Sequence, residues 1–260
     1  MMRVAALFDV HGNLPALEAV LKDVTHAHVD LIVVGGDVLP GPMPRETLSR
    51  LLNLEIPAQF IHGNGDLGVL AQIGVSDPST VAYWGTASGK PLPEPLWPMV
   101  RWTAEQIHPD HAELMQTWPK TLRLEIPRLG EVLVCHGTPR SETECFTRLT
   151  PLELLVPLFE GLSATLVVCG HTHMQFDRMI GQVRVVNAGS VGMPVGEPGA
   201  DWLVLGDDVE FRHTSYDLAH AADRVRRTEY PQAEEFAAHN ILCPPSAAQM
   251  LELFTYASFR

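Results

Sequence analysis

The stretch MRVAALFDVHGNLPALEAVLKDV, residues 2–24, decides the fold class of this 260-residue chain. It starts as a β-rich apolar run, and a helix then opens at NLP, where proline near the start costs little. Four apolar residues share one face of that helix: Leu17, Val20, Leu21 and Val24. The apolar run LIVVGGD (31–37), a helix around 45–54 and the run AQFIH (58–62) continue the alternation. This β-α-β-α-β order predicts an α/β protein whose parallel sheet has right-handed crossovers.

Residues 67–120 interrupt the alternation and contain four of the five tryptophans. We interpret this segment as an inserted helical cap, with helices around 99–108 and 110–118. The runs TLRLEI and EVLVCHG, joined by PRLG, predict a hairpin. A helix near 151–160 and four further strands follow: TLVVCG, QVRVVN, DWLVLG and VEFRHTSY. Residues 218–260 are alanine-rich and predict a C-terminal helical extension of a single domain spanning 1–260.

The composition favours a packed intracellular protein. Hydrophobic residues make up 46% of the chain and charged residues 19%, which suits a sizeable core. No apolar run approaches the roughly 20 residues that a membrane-spanning helix needs. The N-terminal apolar stretch is too short for a signal peptide, so we read it as a strand and expect a cytoplasmic location. The four cysteines show no C-x-x-C spacing, and a disulfide framework is not expected.

The formal net charge of −13 bears on the choice of partner. It disfavours a broad grip on the backbone of a nucleic-acid polymer. A small phosphorylated substrate stays compatible with this charge, because bound metal ions would reverse the field locally. The sequence does not indicate an oligomeric state.

Polar residues follow the apolar strands at the points where the strands end. There are seven of them: Asp9, His11, Asp37, Asn64, His136, His171 and His173. The carboxyl ends of strands line the ligand crevice of α/β sheets, so these residues are expected to converge. Their mixture of oxygen and imidazole ligands suits Mn, Fe, Co, Ni or Zn better than Ca or Mg. Seven ligands are too many for one tetrahedral ion and enough for two, the arrangement in which a deprotonated bridging water attacks phosphorus.

The motifs around these residues resemble those of a known family. In order they are DVHGN (9–13), GGDVLPGP (35–42), GNGD (63–66), CHG (135–137), GHTH (170–173) and NAGSVGMP (187–194). They are similar to the motifs of calcineurin-like metallophosphoesterases, in particular the small bacterial and archaeal phosphodiesterase branch. The resemblance implies a four-layer α/β/β/α sandwich with two divalent metals at the strand ends, manganese being the first candidate.

The resemblance also assigns roles to the seven residues. Asp9, His11 and His173 would hold the first metal. Asn64, His136 and His171 would hold the second, and Asp37 would bridge both. Asp37, Asn64 and His136 would act in catalysis through the bridging hydroxide, and Asn64 would also contact the substrate.

Four further residues are candidates for supporting roles. Asn13 is expected to brace the first loop. Asn187 and Ser190 lie in the family's loop beside the site, where hydrogen bonding to the ligands and contact with the substrate are equally compatible. Arg140, four residues after His136, is a candidate for a phosphate oxygen, although an exposed loop arginine is the commoner case.

The GNGD motif departs from the wider family, which commonly has histidine where this chain has Gly65. That histidine helps the leaving group depart by supplying a proton. Its absence predicts a preference for good leaving groups, and a histidine placed at position 65 would then extend the range to poorer ones. Asp66 is expected to hold the loop or cap the next helix, and His62 is an alternative proton donor.

These observations favour a two-metal phosphoesterase, most of all a phosphodiesterase. Within the same class, a phosphomonoesterase, a dinucleoside polyphosphate hydrolase and a protein phosphatase remain open. A scaffold that binds metal without turnover is the alternative of another class. A nuclease acting on a polymer is disfavoured by the net charge.

Overall fold

The computed structural model describes residues 2–75 and 97–255. Ten strands form two five-stranded sheets. The strands are β1 (Val4–Leu7), β2 (Leu31–Val34), β3 (Ala58–Phe60), β4 (Thr121–Ile126), β5 (Gly130–Cys135), β6 (Leu166–Cys169), β7 (Phe176–Ile180), β8 (Val183–Asn187), β9 (Ala200–Leu205) and β10 (Val209–Thr214). The helices are α1 (Leu14–His26), α2 (Pro44–Leu52), α3 (Asn64–Gln72), α4 (Trp97–Gln106), α5 (Pro109–Gln116), α6 (Leu152–Phe159), α7 (Leu218–Arg226), α8 (Ala233–Phe236) and α9 (Ala247–Thr255), and a π-helical segment (Ala237–Leu242) follows α8.

The first sheet has the order β10-β9-β1-β2-β3. Strands β1, β2 and β3 are parallel, with Val4 beside Leu31 and Ile32 beside Ala58. Helices α1 and α2 connect them, so the β-α-β-α-β order predicted from the first 66 residues is confirmed. The three parallel strands therefore end at the same edge of the sheet.

The second sheet has the order β4-β5-β6-β8-β7. The predicted hairpin is present, since β4 pairs antiparallel with β5, and β5, β6 and β8 are parallel. Strand β7 was not expected from the sequence. It lies at the edge of the sheet and has only its two end residues buried, so its sequence lacks the continuous apolar run that marked the inner strands.

The two sheets pack face to face, and helices cover both outer faces. Alternate residues of β1 show the division. Ala5 and Leu7 pack among the helices, whereas Val4 and Ala6 pack against the second sheet. On the far side, Leu155 of α6 packs on the outer face of β5 and β6. The predicted four-layer α/β/β/α sandwich is confirmed.

The segment 67–120 is helical where the structure describes it. Helices α4 and α5 begin and end about two residues earlier than predicted. Their buried residues Val100, Ala104 and Met115 belong to the core of the outer helical layer on the first sheet. Residues 76–96, which include Trp84, lie outside the described residues. A cap over the site remains a prediction.

The helices after β10 form a smaller cluster of their own. Tyr230, Phe236 and Ile241 pack there with Leu14 and Met43, which follow the first two strands. Helices α7, α8 and α9 lie in this region, and a C-terminal extension over 218–260 stays a prediction. Within the described residues, no helix is both long enough and apolar enough to span a bilayer.

Candidate metal centre

The ends of β1, β2, β5 and β6 bring six of the seven predicted ligands together. Two groups form, Asp9 with His11 and His173, and Asp37 with His136 and His171. Within each group, one ligand atom from every residue lies within 4.8 Å of the others. The groups match the two sets assigned from the sequence, apart from Asn64, which is described below.

Asp37 lies between the two groups. Its Oδ2 is 3.4 Å from Nε2 of His136 and 3.7 Å from Nε2 of His11, which belongs to the other group. Asp9 makes a similar link, since its Oδ1 is 3.2 Å from His173 Nε2 and 3.8 Å from His136 Nε2. Each of the two carboxylates thus lies near histidines of both groups.

The backbone at these strand ends is strained. Six non-glycine residues in the described chain have positive φ, and five of them are predicted ligands. The five are Asp9 (55°), His11 (47°), Asp37 (50°), His171 (66°) and His173 (58°). Left-handed backbone costs on the order of 1–3 kcal/mol for each such residue and concentrates at functional sites. The fold sustains this conformation because each residue follows a buried strand and turns sharply toward the space between the sheets.

Backbone carbonyls fix the orientation of three histidines. Nδ1–H of His11 donates to Pro40 O (3.3 Å), that of His136 to Gly35 O (2.9 Å) and that of His173 to Met193 O (3.0 Å). These bonds leave Nε2 of each ring for the centre, where Nε2 of His11 lies 3.2 Å from Nε2 of His173. Carbonyl partners of this kind set the tautomer and raise the basicity of a metal-binding imidazole.

His171 is held differently, by a residue that the sequence analysis missed. Its Nε2 lies 2.9 Å from Sγ of Cys145. Cys145 is half-buried, and burial raises the pKa of its thiol to about 12. No motif or spacing marks this cysteine, since it lies in a loop well after the CHG motif.

Within the part of the chain that the structure describes, three buried side-chain atoms of the predicted ligands have no hydrogen-bond partner. They are Asp9 Oδ1, Asn64 Oδ1 and His136 Nε2. An unsatisfied buried polar atom costs roughly 1–3 kcal/mol, more when charged. All three belong to the predicted ligand set, and carboxylate, amide and imidazole donors suit divalent transition metals. The residues present therefore fit two such ions.

Charge pairing links the acidic and imidazole side chains. Burial alone would raise the pKa of Asp9, but His173 and His136 lower it below its ordinary value. Asp37 has its pKa lowered in the same way, against burial, by His136. Burial acts to lower the pKa of His136, yet Asp37 and Asp9 raise it to about 10. Both carboxylates are therefore ionised and ready to accept a cation.

The histidines divide into two kinds by charge. Like that of His136, the pKa of His173 is raised by Asp9 against the effect of burial. Burial lowers the pKa of His11, and burial together with His136 lowers that of His171 to about 4. His171 is therefore neutral near pH 7, as a metal ligand must be.

Helix α3 begins at Asn64, inside the GNGD motif, directly before Gly65, whose N–H donates to Asp37 Oδ1. Asp66 caps this helix, because its Oδ2 accepts from Gly63 N (3.0 Å) while its Oδ1 accepts from Leu39 N (3.0 Å). Burial, followed by repulsion from Asp37, raises the pKa of Asp66 to about 8. These contacts agree with the expectation that Asp66 holds the loop and caps the helix.

Gly65 is required by packing. Its N–H donates to Asp37 Oδ1 at 2.6 Å. A Cβ added to Gly65 would lie 2.3 Å from the carbonyl oxygen of Leu39, closer than real Cβ contacts come. The expectation that a histidine could simply be placed at this position therefore needs correction, since the backbone around Leu39 would have to move first.

The other sequence candidates lie near the centre with partners of their own. His62 is 6% exposed, and its ring lies 5.9 Å from that of Trp118. Burial lowers the pKa of His62. Arg140 donates from Nη2 to Glu144 Oε1 at 2.5 Å and from Nε to the same carboxylate. The structure thus places this guanidinium on an acidic residue of its own loop.

Asn13, Asn187 and Ser190 all contact the backbone of the ligand loops. Asn13 caps α1 through Ala16 N and donates to Gly192 O at 2.9 Å. Asn187 donates from Nδ2 to Gly170 O. Ser190 Oγ donates to Asp9 O at 2.8 Å. These bonds support the loops that carry the ligands.

Comparison with known proteins agrees with this architecture. The model of the calcineurin-like phosphoesterase superfamily domain matches residues 2–206. The uncharacterized protein MJ0912 of Methanocaldococcus jannaschii is 22% identical over 249 residues, which cover 88% of this chain and 94% of that protein.

Two solved structures share the fold over most of the chain. The hypothetical protein PH1004 from Pyrococcus horikoshii OT3 has a TM-score of 0.77 at 21% identity, covering 95% of this chain and 100% of its own. A metallophosphoesterase from Sphaerobacter thermophilus has a TM-score of 0.67 at 24% identity, covering 91% and 98%.

The sandwich and the two ligand groups define a metal-binding protein of the α/β/β/α class. The chain belongs to the calcineurin-like phosphoesterase superfamily. Membership of this family supports phosphoester hydrolysis as the class of reaction and divalent metal ions as the cofactors.

Proposed function

We propose that the protein is a phosphodiesterase that hydrolyses small phosphorylated substrates with two divalent ions, manganese being the first candidate. The observation that carries the proposal is the pair of ligand groups joined through Asp37. Asp9, His11 and His173 would hold the first ion, and Asn64, His136 and His171 the second. When bound, two such ions supply a water deprotonated near neutral pH and neutralise charge on the phosphate oxygens.

The chain's own residues orient this centre. Gly65 N–H holds one oxygen of Asp37, which leaves the other facing His11 and His136. Asn64 offers a neutral oxygen that no hydrogen bond occupies. A neutral ligand keeps the positive charge of the centre high, which favours binding of an anionic phosphate.

The charge near the centre favours a diester over a monoester. A phosphomonoester carries up to two negative charges near neutral pH, whereas a diester carries one. Arg140, the cation that the sequence offered for a phosphate oxygen, is bound to Glu144. The net charge of −13 also disfavours a polymeric nucleic acid as substrate.

The test is hydrolysis of bis(p-nitrophenyl) phosphate with added Mn²⁺ by the wild type and by Asp37→Asn. Asp201→Asn is a matched control, because Asp201 is also a buried aspartate paired with a histidine, His213, at 2.8 Å. We expect Asp37→Asn to lose more than the roughly 100-fold that removing a supporting contact costs at metal sites. The control should keep its rate. Equal rates for wild type and Asp37→Asn would refute the proposed centre.

Gly65 favours a second candidate, a scaffold that binds metal without turnover. This position carries no side chain to protonate a leaving group, and packing excludes one. Two equivalents of bound metal with no turnover on a panel of monoesters, diesters and dinucleoside polyphosphates would support the scaffold. The same panel separates the phosphodiesterase from a phosphomonoesterase, a dinucleoside polyphosphate hydrolase and a protein phosphatase.

A further inference from the structure

One of the four ligand histidines is turned the opposite way from the others. His11, His136 and His173 each use Nδ1 for a backbone carbonyl, so Nε2 is the nitrogen that contacts other predicted ligands. His171 uses Nε2 instead, in its 2.9 Å contact with Cys145 Sγ. The nitrogen left free on His171 is therefore Nδ1.

A metal ion on Nδ1 of His171 would set which atom carries the proton. A neutral imidazole has one N–H donor and one acceptor nitrogen, and the acceptor is the one that binds a metal. With Nδ1 as the acceptor, Nε2–H donates to the sulfur of Cys145. The thiol hydrogen in turn points to Thr143 O, which lies 3.7 Å from Sγ. In this pair of contacts, His171 donates to the sulfur of Cys145, and the thiol of Cys145 donates to Thr143 O.

We propose that Cys145 is a positioning residue that orients His171 for the second ion, with Nδ1 as the coordinating nitrogen. The proposal rests on the two-ion centre put forward above. Partners of metal-bound histidines are most often carboxylates, carbonyls or water, and here a thiol stands in their place.

The loop that carries Cys145 is anchored on both sides of the residue. On one side, Glu144 accepts from Arg140 and from Thr138 Oγ1, the latter at 2.5 Å. On the other side, Phe146 is 3% exposed, with its ring 5.6 Å from that of Phe159 and 5.7 Å from that of Phe176. A side chain held between two fixed neighbours loses little further freedom when it makes a contact. This rigidity suits a residue whose task is orientation.

The proposal predicts a selective effect on metal binding. In Cys145→Ala the imidazole of His171 loses its only described side-chain partner at Nε2, and the second equivalent of metal should bind roughly 10–100-fold more weakly. The first equivalent, held by Asp9, His11 and His173, should be unchanged. Cys145→Ser keeps a group that accepts from Nε2–H and should recover most of the loss.

The experiment is titration of the purified full-length protein with Co²⁺ and Zn²⁺, followed by calorimetry and absorption. Wild type, Cys145→Ala and Cys145→Ser are compared with Cys243→Ala, which removes an exposed cysteine. Thermal unfolding of each metal-free variant verifies the fold. Loss confined to the second equivalent, with rescue by serine, is the expected result. Unchanged binding in Cys145→Ala, or equal weakening of both equivalents, would overturn the proposal.

Two spectroscopic readouts test the orientation directly. In the Zn²⁺-loaded protein, long-range ¹H–¹⁵N correlations should show His171 protonated at Nε2 and the other three ligand histidines protonated at Nδ1. Four rings with the same tautomer would overturn the proposal. A sulfur-to-Co²⁺ charge-transfer band that Cys145→Ala abolishes would also overturn it, because the thiol would then be a ligand itself. A wild type that binds fewer than two equivalents would instead refute the proposed centre.

Discussion

The two sheets contribute different chemistry to the centre. The parallel strands of the first sheet end in oxygen ligands, Asp9, Asp37 and Asn64, with His11 as the one imidazole among the ligands on this side. The second sheet supplies imidazoles alone, His136 after β5 and the pair His171 and His173 after β6.

The contrast shows how side chains join the two sheets at the centre. The carboxylates of the first sheet face histidines of the second, with Asp9 3.2 Å from His173 and Asp37 3.4 Å from His136. Each pair joins the two sheets at the edge where their strands end. Because an imidazole has to lose a proton to bind a metal, metal binding at these pairs would release protons.

The largest expected effect comes from removing negative charge on the first-sheet side. Asp9→Asn keeps a residue that tolerates left-handed backbone, so the fold should persist. The variant should bind one equivalent of metal instead of two and lose more than roughly 100-fold in phosphodiesterase activity. Metal analysis of the purified protein together with the rate on bis(p-nitrophenyl) phosphate measures both.

Asp201→Asn is again the control, since this carboxylate pairs with His213 and belongs to neither ligand group. It should keep two equivalents and its rate. If Asp9→Asn also kept both equivalents, the first-sheet carboxylate would not be a ligand, and the division of labour between the sheets would be wrong.

An intermediate effect concerns how closely the first-sheet loops pack. Gly65→Ala would force a methyl group against Leu39 O and should destabilise the protein by roughly 1–3 kcal/mol, as overpacking does. Gly206→Ala is the matched control, because its Cβ would meet only Arg3, at an ordinary 3.6 Å. Because this added Cβ meets no tight contact, Gly206→Ala should change the free energy of unfolding by no more than about 0.5 kcal/mol.

Urea unfolding of the two metal-free variants measures the difference. Equal stability for Gly65→Ala and Gly206→Ala would show that the backbone around Leu39 can move to accept the methyl group at little cost in free energy. Position 65 would then be open to a proton-donating side chain after all.

The smallest expected effect concerns the proton that His136 of the second-sheet side holds next to the carboxylates of the first. The pKa of His136, raised to about 10, means that this residue holds a proton in the metal-free protein at neutral pH. Its pairing with the carboxylates stabilises the metal-free fold fully below pH 6.5, its ordinary pKa, and this contribution is lost as pH rises through about 10.

Metal binding near neutral pH should therefore release about one proton from His136. Affinity should increase as pH increases toward the pKa of this residue. Calorimetric titration in two buffers of different ionisation heat counts the protons, and a heat that is the same in both buffers would contradict the charge pairing.

The sequence predicted most of the fold because its inner strands are continuous apolar runs. Strands β1, β2 and β6 are buried on both faces, which made them recognisable. Edge strand β7 has exposed residues such as Met179 and gave no such signal. The hairpin of β4 and β5 was recognisable because a short turn-like segment joins two strand-like runs.

The ligand set was also predictable, since each member follows a strand within a motif. The contacts that surround the ligands could not be predicted from the sequence. Cys145 reaches His171 from a loop without periodicity, and its contact depends on how that loop is anchored. The crowding at Gly65 depends on the carbonyl of Leu39, a backbone atom from another segment whose position no residue pattern encodes.

The left-handed backbone at five ligand positions also limits how this protein can change by mutation. Aspartate, asparagine and histidine enter that conformation more readily than other residues with side chains, and glycine enters it freely. In a library selected for folding alone, with metal withheld, asparagine and glycine should accumulate at Asp9, His11, Asp37, His171 and His173. Valine and isoleucine should disappear there. A descendant that no longer bound metal would therefore still have small polar residues or glycine at these positions.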